Sequence, residues 1–146
     1  MPKRLPILIL AGSDPHPGPT PTELTQDDML SGFKAVSKLP SGVPLISELV
    51  DRFNASGRFE QPIIIGPRRV YEGVVSCEIV DIEGNLATTL KHTYKFITRR
   101  FHHLAPVAIS ACDILPTPEE IRLLLKTTYD PNEDSQFWWQ LVDAKP

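Results

Sequence analysis

The chain has 146 residues, 41% of them hydrophobic, 23% charged and 8% aromatic. That length and balance predict one domain with a core of its own and exclude a disordered tail, a collagen-like rod and a coiled coil. Lys and Arg number 15 against 18 Asp and Glu, for a net charge of −3, which argues against nucleic acid as a partner because duplex binding draws on neutralised phosphates. Two cysteines, Cys77 and Cys112, are too few for a disulfide framework or a structural zinc site and point to a reducing, cytoplasmic setting.

The first apolar run, Leu5 to Leu10, contains Pro6 and is far shorter than a membrane span, so no membrane association is expected. Ile7-Leu8-Ile9-Leu10-Ala11 has no polar alternation and reads as a strand buried on both faces, closed by Gly12. A long connection rich in proline then runs to about Lys38; loops of this length without structure of their own are usually functional or mobile. Val43 to Ser56 has helical spacing, with Leu45, Ile46, Leu49, Val50 and Phe53 on one face, Asp51, Arg52 and Asn54 on the other, and Gly57 as the stop. Pro62 to Gly66 is a second buried strand, Arg68 to Glu72 a short helix and Glu78 to Asp81 a third strand. Asn85 caps a helix predicted from Leu86 to about Phe101. Pro106 to Asp113 reads as a fourth strand ending in an acid; Thr117 and Pro118 open another helix, and Phe137 to Val142 suits a last strand. Strands alternating with helices predict an α/β, three-layer, Rossmann-like fold with a mostly parallel sheet.

In such sheets ligands bind beyond the carboxyl ends of strands. Gly12, straight after a buried strand, allows backbone N–H groups to approach an anion such as a triphosphate; the alternative is a glycine that only ends the strand. The second and third glycines of a dinucleotide fingerprint are absent, and so is a Walker A lysine. Lys34, with Lys38 competing, can supply charge to a transferring phosphoryl group, or be a solvated lysine. Asp113 can hold Mg²⁺ or cap the following turn. Ser13 lacks the surroundings of a hydrolase nucleophile, Cys112 reads as a packing residue, and Arg99-Arg100 with His102-His103 read as a solvated basic helix end.

Leu10-Ala11-Gly12-Ser13, Lys34-Ala35 leading to Gly42-Val43-Pro44-Leu45-Ile46, Ile63-Ile64-Ile65-Gly66, Gly84-Asn85-Leu86 and Cys112-Asp113-Ile114-Leu115-Pro116 occur in that order. Together they resemble the MobA-like nucleotidyltransferase family, which has a glycosyltransferase-A-type Rossmann-like fold. The resemblance runs from about Leu5 to Thr128. It implies Mg²⁺-dependent transfer of a nucleotide from an NTP to a phosphorylated small molecule such as a sugar phosphate, with release of pyrophosphate. On that resemblance Ala11, Gly12 and Ser13 wrap the NTP, Lys34 neutralises its phosphates and Asp113 binds the metal. Ser13 stands where the family has a second glycine, and the family's loop arginine has no counterpart between Gly12 and Lys34. Members of the family continue past the region of Asp113, so residues 1–146 are expected to form a single nucleotidyltransferase-like domain lacking the C-terminal part of the full fold. An apolar edge near Trp138 and Trp139 is then expected, inviting a homodimer. The alternative of a different class is a nucleotide-binding or assembly module that keeps the fold without the chemistry. A receiver-like signalling domain is disfavoured, because such domains rely on an acidic cluster just after the first strand and here only Asp14 is nearby.

Overall fold

The computed structural model describes residues 4–13, 33–102 and 105–128. Among the described residues four strands, β1 (Ile7–Leu10), β2 (Ile63–Gly66), β3 (Ile79–Asp81) and β4 (Ala108–Ala111), form one sheet in the order β3-β2-β1-β4, every pair parallel. The apolar runs of β1 and β2 occupy the two central positions, where both faces of a strand are covered.

Successive side chains of a strand point to opposite faces, and the core divides accordingly. Ile7, Ile9 and Ile64 pack with Leu49 and Phe53 of helix α1 (Leu45–Ser56) and with Ile121 of the later helix Pro118–Thr128. Leu8, Ile63 and Ile65 pack on the other side, where Phe96 and Ile97 belong to the helix Leu86–Arg100. Between β2 and β3 lies the short α2 (Arg68–Tyr71); the two later helices are α3 (Leu86–Arg100) and α4 (Pro118–Thr128). Helices thus cover both faces, and the fold is the expected three-layer, Rossmann-like α/β arrangement.

The caps behave as the residue types dictate. Helix α1 starts at Leu45 rather than Val43: a residue before proline is pushed out of the helical region, and Pro44 itself takes an extended ψ of 142° at the N-cap. Gly57 ends it at φ +71°, a conformation costly for residues with a Cβ. Asn85 Oδ1 accepts the Thr88 N–H at 2.8 Å to start α3, and Thr117 Oγ1 accepts the Glu120 N–H at 3.1 Å to start α4. Replacing Asn85 with alanine is expected to destabilise the fold by about 1 kcal/mol. The check is a lower urea midpoint at an unchanged m-value.

Strand β4 is shorter than the expected Pro106–Asp113. Its pairing to β1 stops at Leu10↔Ala111; the Ala11 N–H donates to Ile65 O at 2.8 Å, in the regular alternation by which every second β1 residue bonds toward β2. Cys112 and Asp113 therefore sit in the turn beyond the strand. On α3, Leu86, Leu90 and Tyr94 form an exposed stripe. Ile109 of edge strand β4 is 53% exposed and pairs with Leu8, so it lies on the α3 face of the sheet. The expected strand Phe137–Val142, with Trp138 and Trp139, lies outside the described residues. Among the described residues no helix is long and apolar enough to cross a membrane.

Candidate functional site

The chain passes outward from β1 through β2 to β3, then returns across the sheet and places β4 on the free side of β1. The strand order thus reverses between β1 and β4, the place where open parallel sheets leave a crevice at their carboxyl ends. A cleft of about 270 Å³ lies there, with Leu10, Gly12, Lys34, Ser110, Cys112 and Asp113 in its lining. A second, smaller cavity of about 150 Å³ adjoins Leu10 and Gly12 and is lined further by Ser13, Gly84, Leu86 and Thr89.

Each charged group reaches the cleft from an anchored segment. Lys34 begins a single 3₁₀ turn, Lys34–Val36, and the residues on either side of it, Phe33 and Ala35, are core residues. The turn is joined to α1 through the Leu45 N–H, which donates to Ser37 O at 2.9 Å. Lys38, its competitor in the sequence, is exposed and takes no part in the cleft lining. Asp113 is exposed in the turn after β4. The chain just beyond it is held by Arg52, whose Nη1 donates to Leu115 O at 2.8 Å while Nε donates to Glu48 at 3.0 Å. Helical spacing placed Arg52 on the solvent face of α1; its guanidinium instead reaches back to tether the loop that carries Asp113.

Of the residues the sequence singled out, Gly12, Lys34 and Asp113 line one cleft and Ser13 lines the neighbouring cavity. Ala11 is placed differently. It is wholly buried, its N–H is committed to Ile65 O, and its carbonyl accepts the Tyr71 hydroxyl at 2.6 Å. Ala11 thus has no free N–H for a ligand, which leaves the amides of Gly12 and Ser13 as the candidate backbone donors at the β1 tip. Arg100, read as part of a solvated patch, forms a two-pronged pair with Glu78 at 2.8 and 3.1 Å.

Two further residues build the site, to neither of which the sequence assigned a role in it. Tyr71 is fully buried beneath it. Gly66, at the end of β2, has no room for a side chain: a Cβ there falls 2.7 Å from the Tyr71 ring and 2.8 Å from Ala11 O. The only sequence signal for either was the glycine closing the Ile63-Ile64-Ile65 run, which equally fits plain strand termination.

The electrostatics of the cleft converge on Cys112. Burial pushes its thiol from 9.0 up to about 11; Asp113 adds to the rise and Lys34 opposes it. The thiol therefore stays protonated at neutral pH. Because alkylation follows the thiolate fraction, Cys112 should react about 100-fold more slowly at pH 8 than an unperturbed cysteine. Asp113→Asn should speed the reaction and Lys34→Ala slow it, measured by iodoacetamide trapping in a Cys77→Ser background that removes the other free thiol. The sign for stability follows. The unfolded thiol ionises near 9.0 and the folded one near 11, so this contribution is complete below pH 9 and is lost as pH rises through 11.

Among the described residues no three His, Cys, Asp or Glu side chains converge on a common point. One exposed carboxylate, Asp113, faces a cleft that also holds a lysine. That donor set fits Mg²⁺ taken up together with a polyphosphate, since Mg²⁺ keeps several waters and shares its remaining positions between one or two carboxylates and phosphate oxygens.

No protein-family profile matches the chain, and no curated protein matches it.

Proposed function

We propose that this domain is a cytoplasmic nucleotidyltransferase of the MobA-like kind, moving a nucleotide from an NTP to a phosphorylated small molecule. The observation that carries the reading is the meeting of Gly12, Lys34 and Asp113 on one cleft where the strand order reverses. In the transfer, a phosphate oxygen of the acceptor forms a bond to the α-phosphorus as the bond to the leaving pyrophosphate breaks. No protein nucleophile is needed, and the thiol at hand, Cys112, is held protonated.

Each residue then has a task that its chemistry permits. The Gly12 N–H donates to a phosphate oxygen, and Lys34 offsets the negative charge that shifts toward the leaving group. Asp113 is the residue that would hold Mg²⁺, which when bound supplies charge neutralisation and alignment of the phosphates. The adjoining cavity suits the nucleoside: Leu10 and Leu86 offer apolar walls to a planar base, and Ser13 and Thr89 bring hydroxyls.

The test is pyrophosphate release from each of the four NTPs with a panel of sugar phosphates. Release is expected only when NTP, acceptor and Mg²⁺ are all present, and EDTA should abolish it. Mg²⁺-dependent NTP binding by calorimetry without release from any pairing would instead support the nucleotide-binding module. Absence of both binding and release would remove the nucleotide reading altogether.

A further inference from the structure

We propose that Tyr71 is a positioning residue that aims the Gly12 amide into the cleft by holding the carbonyl of the preceding residue. The proposal deepens the nucleotidyltransferase reading, on which its ligand-binding arm rests; its structural arm stands independently.

A phenol buried at the end of a sheet must find a partner for its O–H. Tyr71 is fully buried, and that partner is Ala11 O at 2.6 Å. The Ala11 carbonyl and the Gly12 N–H belong to one planar trans peptide, in which C=O and N–H point in opposite directions. Fixing the carbonyl toward Tyr71 therefore fixes the Gly12 N–H away from it. The Ala11 N–H is pinned as well, to Ile65 O at 2.8 Å, so the β1 tip is held on both sides of its last buried residue.

The same side chain sets the surroundings of that peptide. Its ring fills the space a side chain on Gly66 would need, 2.7 Å from the position of a Cβ. It meets Phe33 edge-on, with centroids 6.4 Å apart at 87°, and Lys34 is the next residue. Helix α2 itself is fastened by Arg68, whose N–H donates to Asp81 Oδ1 at 2.9 Å and whose Nη2 donates to Ile79 O at 2.8 Å. One phenol thus touches the ends of β1 and β2 and the base of the lysine-bearing turn. Packing alone would be served by phenylalanine; the hydroxyl is what acts on the peptide.

The test uses Tyr71→Phe, which removes only that oxygen. In ligand-free protein, the Ala11 carbonyl ¹³C and Gly12 amide ¹⁵N resonances are expected to shift more than any others outside α2. Calorimetry with Mg²⁺ and inorganic tripolyphosphate should then show about tenfold weaker binding than wild type. Val50→Ala, a core change on α1, should lower thermal stability at least as much and leave that affinity unchanged. Ala11 and Gly12 resonances that stay within the spread of the rest overturn the proposal, as does an affinity loss equal to that of Val50→Ala. If the wild-type protein does not bind tripolyphosphate while the resonance shifts occur, the positioning role stands and the phosphate reading fails. If Tyr71→Phe does not fold, the wild-type spectrum decides. A slowly exchanging Tyr71 hydroxyl proton is expected, and a freely exchanging one overturns the proposal.

Discussion

Gly66→Ala is expected to destabilise the domain by about 3 kcal/mol, at the upper end of what overpacking a core usually costs. The reason is space rather than backbone conformation, since Gly66 is not among the glycines with positive φ. The added methyl would lie 2.7 Å from the Tyr71 ring and 2.8 Å from Ala11 O. Neither neighbour yields cheaply. The ring is fully buried, with Phe33 packed against it. The Ala11 carbonyl is backbone, held by the Tyr71 hydroxyl and by the β1–β2 ladder that ends at Leu10↔Ile65. Moving it displaces the Gly12 turn, so any relief of strain appears as a change in the cleft. Gly57→Ala is the control: its φ is +71° and a Cβ there meets nothing within 4 Å. That change should cost about 1 kcal/mol from conformation alone and leave the cleft untouched. Urea denaturation of both variants gives the comparison, and equal losses would show that the Gly66 contact is not tight.

The layered fold was legible because its strands announce themselves. Ile7-Leu8-Ile9-Leu10 and Ile63-Ile64-Ile65 cannot expose either face, and sequences of that kind have few homes besides the centre of a parallel sheet. Helix starts were legible where a side chain does the capping, at Asn85 and Thr117. What could not be read was anything that depends on where the chain returns. Arg52 has the spacing of a solvent-facing residue, and its bond to Leu115 O joins positions 63 residues apart. Tyr71 sits in a four-residue helix with no periodic signal, and its partner Ala11 is 60 residues away. The extent of β4 was overestimated because a strand ends where its pairing ends, not where its apolar run does, and β1 pairs with it only as far as Leu10↔Ala111. The candidate site divides in the same way. Gly12, Lys34 and Asp113 could be named from residue type and position, whereas the network holding them in register is made of long-range contacts with no local signature.

Lys34→Ala and Asp113→Ala are expected to act in opposite directions on a metal-free polyphosphate and in the same direction on its Mg²⁺ complex. Both residues line the same cleft. A ligand carrying several negative charges is drawn by the ammonium and repelled by the carboxylate when no metal intervenes. Without Mg²⁺, Lys34→Ala should weaken tripolyphosphate binding about tenfold at low ionic strength, and Asp113→Ala should tighten it severalfold, both effects shrinking as salt is added. With Mg²⁺ the carboxylate changes role, because its charge now faces the cation. Asp113→Ala should then lose most of the Mg²⁺-dependent gain in affinity, while Lys34→Ala remains weakened. Transfer should fall by about 10²–10³ in Lys34→Ala, the range seen when one preorganised charge or donor at a reacting group is removed. In Asp113→Ala it should fall below detection. Calorimetry in EDTA and in Mg²⁺, across a salt series, resolves the four combinations. If Asp113→Ala weakens binding equally in both buffers, the aspartate shapes the cleft without serving the metal. If Lys34→Ala changes neither affinity nor salt dependence, its charge does not reach the phosphates. Only the reversal of sign at position 113, with none at position 34, fits a cleft that takes a polyphosphate together with its cation.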